Sequence, residues 1–414
     1  MSCQVWAPTP LSRVTSKIGS GATPRGGKDA YKAEGIALIR SLNVYDFQFY
    51  TDDLAFIDEV QANQLSNVVV HPGDILLNIT GASVARCCMV PVSVLPARVN
   101  QHVAIVRVDE KKAHGKFVYF CINSPRYKHH LLTLAQGGAT REALTKQTIE
   151  EFEVPLPDLA TQRRIASILS AYDDLIENNT RRIAILEEMA QRIYEEWFVR
   201  FRFPGHEGVQ MVESELGQVP EGWEVLPLAA VADITMGLSP KGDTYNEDGR
   251  GVPLVNGPVE FGERFTKRVK WTTAPTKLCG DGDLVVCVRG STTGKYVKSD
   301  GIYCLGRGVC GISSKYQCYV DQLFAHQLPT LLGQTGGSTF PSWTGPQLKS
   351  HPVLVPNSKL LVRFENEIGP MRAVVRVYSR QIQNLRTTRD LLLPKLISGE
   401  LDVSALPEPE ALAA

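Results

Sequence analysis

The chain has 414 residues, 43% of them hydrophobic, enough for two to four folding units at roughly 100–200 residues each. No run of about 18 apolar residues occurs, so no membrane span is expected, and the polar, proline-containing start MSCQVWAPTPLSRV lacks the apolar core of a signal peptide. Lys+Arg and Asp+Glu both number 44, a balance that argues against an overall basic footprint. The charge is uneven, however. Residues 98–146 hold nine Lys/Arg against three Asp/Glu, and residues 263–298 hold eight against three, so two local regions could meet phosphates. The nine cysteines form no CxxC pair and no zinc-like Cys/His cluster, which predicts buried thiols, no metal site and a reducing, cytoplasmic setting.

In chain order, residues 1–157 read as a first mixed α/β unit. Asp74–Ile79 and Val103–Val108 look like strands bounded by glycine and proline, and Phe117–Ala135 looks helical. Residues 158–203 follow as a long helix. Its apolar stripe runs through Ile165, Leu169, Tyr172, Ile176, Asn179, Ile183, Leu186, Ala190, Ile193 and Trp197 in alternating steps of four and three, a heptad seam with one polar member. Residues 204–222, rich in Gly, Pro and charge, read as a linker. Residues 223–356 form the second unit, with strands at Leu284–Val288 and Val309–Ile312 and a helix at Val320–Leu332. Residues 357–399 carry a second seam: Phe364, Ile368, Met371, Val375, Tyr378, Ile382, Leu385, Arg389, Leu392 and Leu396. Arg389 is its one strong departure. Gly369-Pro370 predicts a kink, or a helix that starts again at the proline. Residues 400–414 remain as a tail.

The two halves match in order. Gly35–Arg40 corresponds to Gly251–Asn256, Gly73–Leu77 to Gly282–Val286, Gly81–Ser83 to Gly290–Thr292, Gly137–Ala139 to Gly336–Ser338, and Val154–Pro157 to Val353–Pro356. The offset changes only between motifs, as loop lengths would make it, so the chain is an internal duplication. The second seam lies 199 residues after the first. A stripe about 50 Å long cannot bury itself, so the two helices are expected to pack on each other as an antiparallel coiled coil. The fold class expected is α+β, with two similar globular domains separated by that helix pair.

Side chains able to reach base edges cluster just after the strands. In the first unit they are Arg40, Asn43, Asn78, Thr80, Ser83, Asn100, Gln101, His102, Thr140, Arg141 and Lys146. In the second they are Asn256, Arg289, Ser291, Thr292, Lys295, Arg307, Ser338 and Trp343. Catalytic patterns fail. Gly290–Tyr296 has three residues between its glycines and Tyr where a phosphate loop needs Ser or Thr. No Asn-Pro-Pro-aromatic motif, no nuclease triad after Pro157-Asp158 and no HExxH occur. A self-sufficient DNA enzyme and a protein-binding coiled-coil adaptor are the competing readings.

Three segments resemble one family. Arg164–Asp173 with Ile176 and Asn179 is similar to the central conserved helix of type I restriction–modification specificity subunits. Glu215–Trp223 resembles the opening of their second recognition domain, and Leu392–Leu401 their C-terminal signature. Thr161, where the family often has an acidic residue, and Arg389 depart from the pattern. The resemblance implies a non-catalytic subunit with two target-recognition domains, each reading half of a split site in double-stranded DNA. It implies helices that space these domains and dock two modification (adenine methyltransferase) subunits, with restriction (translocase and nuclease) subunits joining them. S-adenosylmethionine, ATP and magnesium would be used by those partners, leaving no cofactor in this chain.

Overall fold

The computed structural model describes residues 6–136, 142–334 and 341–406. The chain divides into two compact units: unit 1 is residues 1–178 with 381–414, and unit 2 is residues 179–380.

In unit 1 an antiparallel sheet has the strand order Thr15–Ser20, Val103–Val108, Ile75–Asn78, Cys87–Met89. Both of its faces are buried, which is why its central strands read as unbroken apolar runs. Ile75, Leu77, Ala104 and Val106 pack with Phe117, Val118 and Phe120 of the helix Gly115–Asn123. Leu76, Val103 and Ile105 point the other way, into a second sheet ordered Ala55–Ile57, Ile36–Ile39, Ala97–Val99, Val69–Val70. In that sheet Ala97–Val99 runs parallel to Ile36–Ile39.

Unit 2 repeats the plan. One antiparallel sheet is ordered Asp233–Met236, Val309–Ser313, Leu284–Cys287, Tyr296–Lys298. The second is ordered Tyr245–Asn246, Lys270–Thr272, Val252–Val255, Tyr303–Leu305, Leu278–Cys279, with Tyr303–Leu305 parallel to Val252–Val255. The repeated Gly-Asp motif has a structural cause. Gly73 and Gly282 take left-handed φ of 82° and 84°. Each following aspartate accepts a backbone N–H three residues back, His71 N to Asp74 Oδ2 at 2.7 Å and Gly280 N to Asp283 Oδ2 at 2.6 Å.

The expected helix Phe117–Ala135 is two helices, Gly115–Asn123 and Pro125–Gln136. Ser124, forced to ψ 137° by the proline that follows, breaks them. The second long helix, by contrast, runs as one element from Ser358 to Ile397, without the restart expected at Pro370. Ile368 is buried in the unit 2 core and Met371 packs against it, so tertiary contacts on both sides of Gly369-Pro370 hold the helix through the lost hydrogen bond. The segment read as an open linker contains a hairpin, Met211–Ser214 paired with Gly217–Pro220, whose turn uses the left-handed Gly217. It leads to Trp223, which is buried against Phe198, Phe201 and Phe203.

Every seam position of the first long helix, Leu159–Tyr194 and its last turn, is buried or half-buried, and so is every one of the second. In unit 1, Ile165 and Leu169 share a core with Leu393, Leu396 and Ile397, and Asp173 meets Arg389. In unit 2, the Arg182 guanidinium lies 5.6 Å from the Tyr378 ring, and Trp197 packs on Phe364 with centroids 5.7 Å apart. As positions rise along the first helix their partners fall along the second, so the pairing is antiparallel in each unit. The departure at Arg389 is explained by its partners. The side chain is buried, Nη1 donates to Asp173 Oδ1 at 2.6 Å, and the guanidinium sits 3.7 Å from the Phe47 ring centroid.

The eight cysteines of the described residues are all buried. Burial pushes the Cys87, Cys310 and Cys318 thiols up to about 12, which leaves them protonated and unreactive.

Candidate nucleic-acid interface

Three chain segments converge at one edge of unit 1. Gly21 N donates to Asn100 O at 3.1 Å, Ile79 N to His102 O at 3.0 Å, and Leu144 N to Ile79 O at 2.8 Å. Unit 2 builds a similar edge, with the second and third bonds at corresponding positions and the first shifted to a carbonyl three residues further on. Gly237 N donates to Val309 O at 3.0 Å, Val288 N to Gly308 O at 2.9 Å, and Trp343 N to Val288 O at 3.0 Å. Isolated bridges Thr80–Ala143 and Arg289–Ser342 complete the correspondence. Each edge needs a glycine. A Cβ on Gly21 would lie 1.6 Å from Val99 O, and one on Gly237 would lie 2.1 Å from Gly306 O.

The side chains at the two edges differ. In unit 1, Thr80 Oγ1 lies 2.6 Å from His102 Nδ1, and Gln101 Nε2 lies 3.2 Å from His102 Nε2. With the amide donating to Nε2, the imidazole carries its proton on Nδ1 and donates it to Thr80. Thr23 Oγ1 donates to Gln101 Oε1, so the row is linked from Thr23 to Thr80. In unit 2 the equivalents are Ser239, Arg289 and Arg307. Ser239 Oγ accepts Arg307 N at 3.2 Å. Both arginine side chains are exposed, and neither guanidinium has an ion-pair partner among the described residues.

Several residues expected to reach bases are instead turned inward or engaged within the chain. Asn43 is buried, accepting Arg40 N through Oδ1 at 3.0 Å and donating to Tyr50 O at 3.0 Å. Asn78 is buried and donates to Ser41 O at 2.8 Å. Asn100 is buried and caps the turn by accepting His102 N at 3.0 Å. Trp343 lies in the core, its indole N–H donating to Leu331 O at 3.0 Å. Arg40 is half-buried and donates to Asp53 O. Asn256 is half-buried against Gly306, where a Cβ would meet its Oδ1 at 1.8 Å. Ser83 and Thr292 are half-buried in turns, and Lys146 is paired with Glu150 at 3.4 Å. Ser291 and Lys295 are exposed. Thr140, Arg141 and Ser338, with the Gly137–Ala139 and Gly336–Ser338 matches, lie outside the described residues.

The chain matches the family model described as "Type I restriction modification DNA specificity domain" over residues 21–188. It is 22% identical over 407 residues to a putative type I restriction enzyme MjaX specificity subunit of Methanocaldococcus jannaschii, covering 96% of this chain and 94% of that one. It is 24% identical over 406 residues to the MjaIX specificity subunit of the same organism, covering 94% and 92%. Over nearly its whole length the chain is similar to type I restriction–modification specificity subunits. The crystal structure of a type I restriction–modification S subunit from M. genitalium shares the fold, with a TM-score of 0.62 at 13% identity over 96% of this chain and 97% of that one.

Much of the local basic excess of this chain is structural. Arg107 is paired with the fully buried Asp74 at 2.7 Å, Lys128 with Asp46 at 2.6 Å and Arg264 with Glu187 at 2.7 Å, while Lys298 is paired with Asp321. Arg98 is buried, donating to Ala62 O. Counting charge along the sequence therefore overstates what faces solvent. Thr23 and Ser239, which the sequence reading passed over, complete the two edges. The signal for them was Gly21 and Gly237, which share the offset of the Gly35 and Gly251 match. Among the described residues no helix is long and apolar enough to cross a membrane.

Proposed function

We propose that this chain is the non-catalytic, cytoplasmic subunit that reads DNA sequence for a type I restriction–modification complex, each unit reading one half of a bipartite site in double-stranded DNA. One observation carries this reading: equivalent edges hold different chemistry, Thr23, Thr80 and Gln101 in unit 1 against Ser239, Arg289 and Arg307 in unit 2. A catalytic centre present twice would need the same groups twice. Two readers of different half-sites need the same scaffold with different tips. Arginine forks match guanine O6 and N7, and a glutamine amide matches adenine N6 and N7. Of the expected contacts, Thr80, Gln101, His102, Arg289, Ser291, Lys295 and Arg307 remain as candidates.

Binding of short duplexes across a salt series tests this. Arg307→Ala is expected to cost about 1–3 kcal/mol if the side chain reads a base, confined to one position of the site. If it meets phosphate, all sequences weaken alike and the salt slope falls by about one. Unchanged binding by the Arg289→Ala/Arg307→Ala double variant at low salt would remove unit 2 from the interface. Methyl transfer from S-adenosylmethionine by the purified chain alone would overturn the non-catalytic reading.

In this reading the long helices set the distance between half-sites and dock two modification subunits, which restriction subunits join. S-adenosylmethionine, ATP and magnesium belong to those partners. Removing residues 176–182 together with the facing heptad 379–385 keeps both seams in phase and shortens the pair by about 10 Å. The preferred spacer between half-sites should shrink by about three base pairs, at about 3.4 Å each. Mapping methylated adenines with the assembled complex measures it; an unchanged spacer would place the ruler elsewhere.

A further inference from the structure

Arg389 interrupts the second seam, yet it is buried and fully engaged. Nη1 meets Asp173 at 2.6 Å, Nε and Nη2 meet Asp390 at 3.0 and 2.9 Å, and the guanidinium plane covers Phe47. Burial raises the Asp173 carboxyl above its ordinary value even beside the arginine. Removing the cation would therefore leave a poorly solvated carboxylate.

The internal repeat fails at both members of this pair. The 199-residue offset places Ala190 of the first helix where the second has Arg389, and Arg372 of the second where the first has Asp173. The remaining seam positions are apolar or uncharged in both helices, so they would let any two of these helices pair. The charges would not. Two first helices, antiparallel in the native register, would set Asp173 against Ala190 twice, leaving each carboxylate without a cation. Two second helices would set Arg389 opposite position 372, where Arg372 is held by Gly282 O and Asp321 of its own unit, so no carboxylate on the facing helix would meet either Arg389. Only a first helix with a second joins Asp173 to Arg389.

We propose that the Asp173–Arg389 pair selects the helix partner, matching the first long helix to the second and rejecting a second copy of either. The selector keeps a duplicated chain from assembling as two identical halves, so the two units that meet DNA stay different. Such use of a polar pair rests on penalising the alternatives more than on stabilising the native pair.

Charge reversal in the full-length chain tests the proposal. Asp173→Arg alone faces Arg389 with arginine, and Arg389→Asp alone faces Asp173 with aspartate. Co-expressed with different tags, the two variants satisfy both pairs only by exchanging helices between chains. They are expected to co-purify in equal amounts as a dimer, while each captures its own kind several-fold less and the wild type stays monomeric. The doubly reversed chain, Asp173→Arg/Arg389→Asp, is expected to return to a monomer. A wild type that captures its own copies as well as the two variants capture each other would overturn the proposal. So would two soluble variants that fail to capture each other. Should both single variants be insoluble even together, the doubly reversed chain decides, and its insolubility would overturn the proposal.

Discussion

Phe198→Ala is expected to cost unit 2 about 3–5 kcal/mol of stability, the range for removing a buried aromatic ring. The ring is the hub of an aromatic cluster, with centroids 4.9 Å from Tyr319, 4.9 Å from Phe364, 5.2 Å from Tyr194 and 5.9 Å from Trp223. These residues come from the end of the first long helix, the helix Gln317–Gly333, the second long helix and the segment before Glu224–Pro227. Truncation removes several edge-to-face contacts at once and leaves a cavity where four elements meet, each with little room to collapse. Urea unfolding, compared with Val199→Ala at the exposed neighbouring position, measures the effect; the control should stay within about 0.5 kcal/mol of the parent. A loss below about 1 kcal/mol for Phe198→Ala would mean that the cluster does not anchor unit 2.

Gly237→Ala is expected to abolish reading by unit 2 while leaving unit 1 intact. The added Cβ would lie 2.1 Å from Gly306 O and 2.7 Å from Val309 O, both backbone atoms of the turn that carries Arg307. Backbone on both sides cannot give locally, so the whole turn must move, and Arg307 with it. Each base pair no longer read costs roughly 1–3 kcal/mol. With Arg307 displaced, binding should lose its preference at the second half-site and keep it at the first. The mirror change, Gly21→Ala, should reverse that pattern, since its Cβ would meet Val99 O at 1.6 Å beside the Gln101 turn. Competition among duplexes altered in one half-site at a time reads both outcomes. If both variants lose the same half-site, the division of labour between the units is wrong.

The sequence by itself determined the architecture wherever information is local and periodic. A stripe repeating every three or four residues must face a partner, and all the seam positions found that way are buried or half-buried. The ordered motif matches located equivalent strands, because a duplicated sheet keeps its glycine turns and its apolar alternation even as side chains drift. What lay beyond the sequence was the direction of individual polar side chains. An asparagine after a strand is the same local string whether it caps a turn or meets solvent, and Asn43, Asn78 and Asn100 turned inward because buried backbone groups needed partners. Gln101 and Arg307 stayed at the surface, and Gln101 is held there by Thr23 and His102. The charge count overstates the free positive charge for the same reason, since Arg107 and Lys298 meet aspartates distant in sequence. Arg389 shows the division most clearly. The heptad marked it as out of place, but only the tertiary structure brings Asp173 to it from the facing helix, adding a second counter-charge to that of Asp390 beside it in the chain.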